Sequence, residues 1–351
     1  MAKILIKNGH VWDGDKFFYS DVLTNDGLIS SIAPDIDESA DYVYDASEKV
    51  VSPGLVDIHT HMLGIYGINA ELSCIPFGVT AAADAGSVPD SLEKYNNFLV
   101  KNKVFVCCEI KNNRVIYENT ARDIAHYKDK AIGIKVYFDT TLTEVYDISP
   151  LEEIVNYAHE NGLIVMVHSS NSPTSMAEIV SALKPGDILT HTFHPGKNNA
   201  SEDCFECLRL AKKKGVITDA GFAGNVHTDF SIFNQAISSG CIPDTISTDI
   251  TRFSAYKRGG RYGMTMCMSI AKKLGMNEED IFRCVTSSPA KALGKNDEWG
   301  SLSPGRCADI SVFDYSGEPF SLTDKAGNTV SDSFSYNCVL CVSSGEIVFR
   351  K

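Results

Sequence analysis

The sequence predicts an α/β protein, a (β/α)₈ TIM-like barrel with a small β-sandwich domain built from both chain ends. Three observations lead to this fold class. Eight apolar, strand-like runs alternate with helix-like segments after residue 50. The stretch 53–293 matches the length of about 250 residues that such a barrel usually takes. Both chain ends, in contrast, show short strands joined by turn signals.

The alternation of runs sets the order of the barrel elements. The expected strands are 54–58, 79–83, 104–108, 132–136, 163–167, 188–190, 216–218 and 245–247. The expected helices include 150–160, 174–183, 202–214 and 230–239. Strands separated by helices predict a parallel sheet, and eight of them favour a closed barrel.

The two chain ends have an all-β pattern. Turn signals at Asn8-Gly9, Asp13-Gly14 and Asp26-Gly27 separate the first strand-like runs, and strand character returns after the loop at 300–305. We therefore expect one small β domain from residues 1–52 and 299–351, beside a barrel formed by residues 53–298.

Composition limits the classes of partner. With a formal net charge of −13, the chain would repel phosphate backbones and anionic lipid, so we expect neither a nucleic acid nor a membrane as partner. The 11 cysteines are an odd number and suit a reducing compartment. The N-terminal residues lack a signal-peptide pattern, and no apolar run approaches the roughly 20 residues of a membrane span. These features predict a cytoplasmic protein.

Polar residues that suit metal chemistry lie at or just after the ends of the expected strands. They are His59, His61, Lys135, His168, His191 and Asp249. In a (β/α)₈ barrel the carboxyl ends of all strands meet at one mouth, where the active site lies. The pattern therefore predicts that residues far apart in sequence gather at a single site.

These residue types suit a hydrolytic metal site. His59 and His61 are two residues apart on a strand, so their side chains point the same way and can bind one ion. Imidazole and carboxylate suit Zn²⁺, and a bound metal lowers the pKa of its water from 15.7 to about 7. Asp249 could then accept a proton as general base. Each residue alone also fits a structural role, and it is their joint placement that favours the metal site.

Longer motifs resemble the amidohydrolase superfamily. Residues 53–61 (PGLVDIHTH) are similar to its first-strand signature, and Gly78-Val-Thr80 with Asp84-Ala-Gly-Ser87 is similar to its second strand and loop. Residues 287–294 and 300–310 resemble the segment that leaves the barrel for the small β domain. The resemblance covers nearly the whole chain and is strongest to a dihydroorotase-like branch of amidohydrolases and deacetylases.

The resemblance implies two divalent metal ions, with Zn²⁺ as the expected ion. His59, His61 and Asp249 would bind the more buried ion, and His168 and His191 the other. Lys135 would be carboxylated to N6-carboxylysine and bridge both ions. His194 is an alternative to His191 as ligand. We favour His191, because His191 is nearer the end of its strand.

The resemblance also implies a hydrolase for a small-molecule substrate. The expected reaction is cleavage of an amide or ester bond in an N-acyl amino acid, an acetylated hydroxy acid or a cyclic amide, by a metal-bridging hydroxide. Candidates to bind the substrate are Ser87, Tyr137, Asn171, His194 and Arg252. Homo-oligomers are an expectation from the family alone.

Departures from the branch fall where substrate would be held. Tyr137 stands where an arginine is common, and Gly221-Phe222-Ala223 stands in place of Gly-His-Gly. His227 could replace that histidine, although we expect it to be a surface loop residue.

Two other functions stay open at this point: a mononuclear-metal aminohydrolase (deaminase) acting on a nucleobase-like ring, and a non-catalytic barrel protein.

Overall fold

The computed structural model describes residues 1–62, 64–86, 99–257, 261–315 and 317–351. The strands are β1 (Ile4–Trp12), β2 (Phe17–Asn25), β3 (Leu28–Ala33), β4 (Tyr42–Asp45), β5 (Val50–Pro53), β6 (Leu55–Thr60), β7 (Val79–Ala85), β8 (Lys101–Lys111), β9 (Arg114–Ile116), β10 (Ala131–Tyr137), β11 (Ile164–His168), β12 (Ile188–Thr190), β13 (Ile217–Asp219), β14 (Ile310–Asp314), β15 (Phe320–Thr323), β16 (Thr329–Asp332), β17 (Asn337–Ser343) and β18 (Glu346–Arg350).

Helices follow most of the central strands. They are α1 (Ala70–Ser73), α2 (Tyr117–Tyr127), α3 (Ser149–Glu160), α4 (Met176–Ala182), α5 (Glu206–Lys214), α6 (Phe230–Ser238), α7 (Arg252–Lys257), α8 (Met264–Lys273), α9 (Glu278–Val285) and α10 (Ser287–Ala292). No helix among the described residues is long and apolar enough to cross a bilayer.

The central strands form a parallel barrel. Neighbours are paired in the order β6-β7-β8-β10-β11-β12-β13, and each of these ladders is parallel. Parallel bridges from Asp219 to Thr245 and from Ile250 to Thr60 place residues 245–250 between β13 and β6. This segment closes the ring at the position of the eighth expected strand. The predicted barrel is confirmed, with the eighth strand held by isolated bridges instead of a full ladder.

One predicted helix begins later than expected. We expected a helix over 202–214, but α5 begins at Glu206. Cys204 and Phe205 have φ values of 56° and 66°, which an α-helix does not allow. Residues 202–205 therefore form turns instead of the first helical turn, and that part of the prediction is wrong.

Strands from both chain ends form a second sheet. Its order is β18-β17-β14-β5-β1-β2-β3, with β4 paired to β1. The chain passes from this sheet into the barrel at Gly54, where a Cβ would lie 2.0 Å from Oγ1 of Thr80. The exact division at residues 52/53 and 298/299 stays a prediction.

One apolar cluster joins the two sheets, and each sheet also has a smaller cluster of its own. The largest buried cluster includes Trp12, Val50 and Phe313 from the second sheet together with residues of the barrel and its helices. Nε1 of the fully buried Trp12 donates a hydrogen bond of 2.9 Å to Oγ1 of Thr286, between α9 and α10. The second sheet is thus joined to the barrel by both packing and a buried hydrogen bond.

Candidate metal centre

Asp249 lies at the centre of a cluster of histidines at the barrel mouth. Its Oδ1 is 2.8 Å from Nε2 of His61 and 3.3 Å from Nε2 of His59, and its Oδ2 is 3.8 Å from Nε2 of His191. Burial alone would raise the pKa of Asp249, but the neighbouring His59 and His61 outweigh burial and hold the pKa below its ordinary value. The carboxylate is therefore ionised and available both as a ligand and as a base.

Lys135 completes the same cluster from β10. Its Nζ lies 3.0 Å from Nε2 of His59, and the side chain is fully buried. Burial lowers the pKa of Lys135 to about 8, against the opposing effect of Asp249 and Asp219. A lysine with this pKa has an appreciable neutral fraction near pH 8, and carbamate formation requires the neutral amine.

Hydrogen bonds to the outer nitrogens fix the ring orientations of His168 and His191. Asp139 Oδ2 lies 3.2 Å from Nε2 of His168, and the carbonyl of Gly221 lies 2.7 Å from Nδ1 of His191. Each acceptor holds a proton on the nitrogen that it faces, which leaves Nδ1 of His168 and Nε2 of His191 with free lone pairs. Burial lowers the pKa of His168 to about 4, so the ring is neutral, as a metal ligand must be.

A similar relay orients His59. Its Nδ1 lies 3.0 Å from Oγ1 of Thr190, which in turn donates to Oδ2 of Asp219 at 2.7 Å. The Thr190 hydroxyl must accept from Nδ1–H, so Nε2 of His59 carries the lone pair toward Asp249 and Lys135. Asp219 also accepts from Thr245 and Ser247, so one buried carboxylate ties β12 and β13 to the closing segment.

Sequence reasoning missed these supporting carboxylates. Asp219 directly follows the seventh expected strand, and Asp139 lies two residues beyond the end of β10. Asp57 is fully buried inside β6 and accepts from the backbone N–H of His59 at 3.2 Å and from the Thr248 hydroxyl at 2.6 Å. Position near a strand end was a weak signal for Asp219 and Asp139. Asp57 precedes His59 by two residues, and only the structure shows that it also binds the residue before Asp249.

Two residues of the cluster have strained backbones. His191 and Asp249 have φ values of 59° and 45°, in the left-handed region that non-glycine residues seldom adopt. The backbone N–H of Asp249 donates to the His59 carbonyl at 2.7 Å, which holds the strained residue against β6. Such conformations cost on the order of 1–3 kcal/mol each and cluster at functional sites.

The donor set fits a divalent metal, and it fits at two overlapping positions. Potential ligand atoms of His59, His191 and Asp249 all lie within 4.8 Å of one another, and so do those of His168, His191 and His227. Neutral imidazoles with one outer nitrogen already bound, next to an ionised carboxylate, are the usual ligands of zinc and similar ions. His61 and Lys135 adjoin the first group through the contacts given above.

The second group contains a residue that we expected elsewhere. His227 is not a surface loop residue: it is half-buried, and its ring centroid lies 4.3 Å from that of His191 and 4.9 Å from that of His168. Its Nδ1 faces the Ser170 hydroxyl at 3.3 Å. The loop after β13 turns inward over the barrel mouth, which the local sequence does not signal.

The structure places the substrate-binding candidates in different surroundings. Asn171 and His194 line one cleft of about 330 Å³ next to His227. Arg252 lines a separate cleft with Phe253 and Tyr256. Ser87 lies outside the described residues.

Of this set, Tyr137 is partly buried and His194 is fully buried. The Tyr137 ring lies 5.9 Å from that of His168, and burial raises the pKa of the Tyr137 hydroxyl well above its ordinary value, so it is a neutral hydrogen-bond donor. His194 is fully buried three residues beyond His191, and neither of the two candidate ligand groups includes it. His191, and not His194, is the residue that lies beside Asp249.

Comparison with known proteins identifies the family. The model of the amidohydrolase family matches residues 77–348, which is more than half of the chain. This chain belongs to the amidohydrolase family. It is therefore a metal-dependent hydrolase that acts on C–N bonds, and the family explains why neutral histidines surround a carboxylate at the barrel mouth.

Individual relatives of this amidohydrolase carry two different names. A deacetylase of Brucella anthropi is 28% identical over 88% of this chain and 83% of its own length. A dihydroorotase of Lactobacillus leichmannii is 32% identical over 99% of this chain and 98% of its own. A solved adenine deaminase superposes with a TM-score of 0.86 at 23% identity, over 99% of both chains, which shows a shared fold.

Proposed function

We propose that this amidohydrolase cleaves the amide or ester bond of a small acylated or cyclic substrate with two divalent metal ions, of which zinc is the expected identity. His59, His61 and Asp249 would hold one ion, and His168 and His191 the other. The single observation that supports this most strongly is Asp249, whose two carboxylate oxygens face His59 and His61 at the end of β6 and His191 after β12.

Lys135 supplies the link between the two halves of the site in this proposal. Its buried amine, in the neutral form, would add CO₂ to form a carbamate with release of one proton, and the neutral nitrogen would so be replaced by an anionic oxygen ligand. Its Nζ already lies 3.0 Å from His59 Nε2. A cationic lysine at this position would repel a metal ion, whereas the two oxygens of the carbamate could serve as ligands for both ions.

The side chains of this protein would supply proton transfer and substrate binding. Divalent metals at such a site make a water nucleophilic near neutral pH and polarise a carbonyl. Asp249, ionised and at the centre of the cluster, would accept the proton of the attacking water and deliver it to the leaving nitrogen or oxygen. Tyr137 donates a hydrogen bond to the substrate from the β10 side of the site. Asn171 and His194 orient the remainder of the substrate, and Ser87 and Arg252, the latter from its separate cleft, stay candidates for the same role.

Metal content and turnover of matched variants test this function. Purified protein should contain close to two divalent ions per chain. Asp249→Asn should abolish hydrolysis across a panel of N-acyl amino acids, acyl hydroxy acids and cyclic ureides, and should leave the ions bound through the histidines. Asp297→Asn, a change of the same kind at an exposed residue, is the control and should match the wild type.

Two results would contradict the proposal. Native protein without metal would exclude it outright. Release of ammonia from a nucleobase-like ring, together with a single metal per chain, would favour the aminohydrolase instead.

A further inference from the structure

The hairpin β15–β16 stands apart from the sheet to which its neighbours in sequence belong. β14 and β17 pair with each other in the second sheet, whereas β15 and β16 pair only as a separate two-stranded sheet. Its turn, residues 324–328, reaches the cleft that borders the candidate metal centre, because Lys325 and Ala326 are among the residues lining that cleft.

Buried hydrogen bonds hold this turn in place on the barrel. Asp324 Oδ2 accepts from the backbone N–H of Phe230 at 2.8 Å, and Asn328 Nδ2 donates to Asp229 Oδ1 at 3.2 Å. Asp229 in turn caps α6 and donates its backbone N–H to the carbonyl of Phe193, the residue before His194. The backbone of the turn is therefore fixed relative to the floor of the cleft.

His194, which lines the same cleft, has an unused hydrogen-bond donor. Its Nδ1 accepts from the backbone N–H of Gly196 at 3.0 Å, so the neutral ring carries its proton on Nε2. Nε2 is buried and, within the described part of the chain, has no hydrogen-bond partner. A buried donor left unpaired costs about 1–3 kcal/mol, which a bound acceptor would recover.

Lys325 contributes a positive charge to the lining of the cleft. Lys325 is exposed and forms no ion pair with any described residue, and the lining of the cleft contains no acidic side chain. His227 and Lys325 line the same cleft. An ammonium group and a neutral N–H donor with no carboxylate among the lining residues form a complement to a monoanion.

We infer that the turn of the β15–β16 hairpin makes Lys325 a specificity residue that binds the carboxylate of the substrate, with Nε2–H of His194 as second donor. This inference rests on the proposed function, because it assigns a carboxylate to the substrate whose amide or ester bond would be cleaved at the candidate metal centre. It selects acylated amino or hydroxy acids over neutral amides among the substrates considered above.

Paired ligands test the inference directly. We would compare an N-acetyl amino acid with its carboxamide, which differ only in charge at the predicted contact. Calorimetric binding in the Asp249→Asn background measures recognition without turnover. Lys325→Met should reduce the ratio of carboxylate to carboxamide affinity by about tenfold to a hundredfold, as expected for loss of one charged partner. Lys325→Arg should keep most of the ratio.

Lys197→Met is the matched control, since Lys197 is exposed next to Gly196 but does not line the cleft. Lys197→Met should leave the ratio of carboxylate to carboxamide affinity within about twofold of the wild-type value, because it changes only the long-range charge. An unchanged ratio in Lys325→Met, or an equal loss in Lys197→Met, would overturn the inference. Turnover of the panel by the wild-type protein decides the proposed function separately, because the affinity ratio can change with Lys325 even if no panel member is hydrolysed.

Discussion

At the scale of single residues, the candidate site depends on buried carboxylates that do not face a substrate. Asp219 binds the hydroxyl that orients His59, and Asp139 binds the outer nitrogen of His168. These contacts select the tautomers that leave one lone pair on each ring. Asp219 and Asp139, which lie behind the histidines, therefore decide which ring nitrogens are free to bind a metal.

Lys135 is the residue whose chemistry most needs a direct test. Lys135→Met keeps the bulk and burial of the side chain but cannot form a carbamate, so we expect fewer bound metal ions per chain and loss of hydrolysis. Elemental analysis measures the first effect. Nuclear magnetic resonance with isotopically labelled bicarbonate should show a carbamate signal in the wild type and none in the variant.

Lys103 provides the control for this change. It is also partly buried, and its pKa is lowered by burial and by Lys295, but its Nζ donates to the carbonyl of Asp129, away from the histidine cluster. Lys103→Met should keep both the carbamate signal and the metal ions. A carbamate signal that persists in Lys135→Met would place the modification elsewhere.

At the scale of elements, local sequence signals define where several helices begin. α4 begins with a capping box in which the Ser175 hydroxyl accepts from the backbone N–H of Glu178, while the Glu178 carboxylate accepts from the backbone N–H of Ser175. This arrangement satisfies two helix-terminal donors at once. α5 shows the opposite case, since left-handed residues at 204 and 205 delay its start despite a helical pattern.

The capping box makes a prediction with an internal control. Ser175→Ala should lower the free energy of unfolding by about 1 kcal/mol, because α4 loses its N-cap. Ser181→Ala removes the same hydroxyl from the same helix, where it only donates back to the carbonyl of Ala177. That change should be neutral or slightly stabilising, since alanine has the higher helix propensity. Urea unfolding of both variants measures the difference.

The effect of Ser175→Ala should also depend on pH. Hydrogen bonds from Ser175 lower the pKa of Glu178 from its ordinary value of 4.5. A lowered pKa in the folded state stabilises the protein above the ordinary pKa, and this contribution is lost as the pH falls. The difference in free energy of unfolding between Ser175→Ala and the wild type should therefore become smaller in acid. Equal effects of the two serine variants on this free energy at neutral pH would contradict the capping argument.

At the scale of the whole molecule, one apolar cluster joins the second sheet to the barrel. Trp12 on β1 packs against Phe17, whose ring meets that of Phe282 on α9 edge-on at 5.5 Å. The indole N–H then binds Thr286 at the end of the same helix. The chain end is thereby fixed to the helix that precedes the exit from the barrel.

A double-mutant cycle measures this connection. Trp12→Phe and Thr286→Val each remove one partner of the buried hydrogen bond, and each should destabilise the protein. The coupling energy between them should be about 0.5–1.5 kcal/mol, the usual net value of such a bond. Denaturant unfolding should remain a single transition in the wild type. Strictly additive effects would show that the bond contributes nothing beyond packing.

The fold and much of the candidate site could be predicted from the sequence because each depends on local pattern. The alternation of apolar runs with helices gave the barrel, and polar residues at the ends of those runs gave His59, His61, Lys135, His168, His191 and Asp249. The resemblance to the family added the expectation of two divalent ions bridged by a carboxylated Lys135. These inferences need only residue type, spacing and the geometry common to all such barrels.

Only the tertiary structure decided which distant groups meet around those residues. The sequence does not show that the loop carrying His227 turns inward, that Asp219 and Asp139 lie behind the histidines, or that a hairpin from the far end of the chain brings Lys325 to the same cleft. Each of these contacts joins segments separated by tens of residues, and none changes the local pattern of hydrophobicity. Local pattern therefore determined where the candidate metal centre lies, and long-range packing determined what surrounds it.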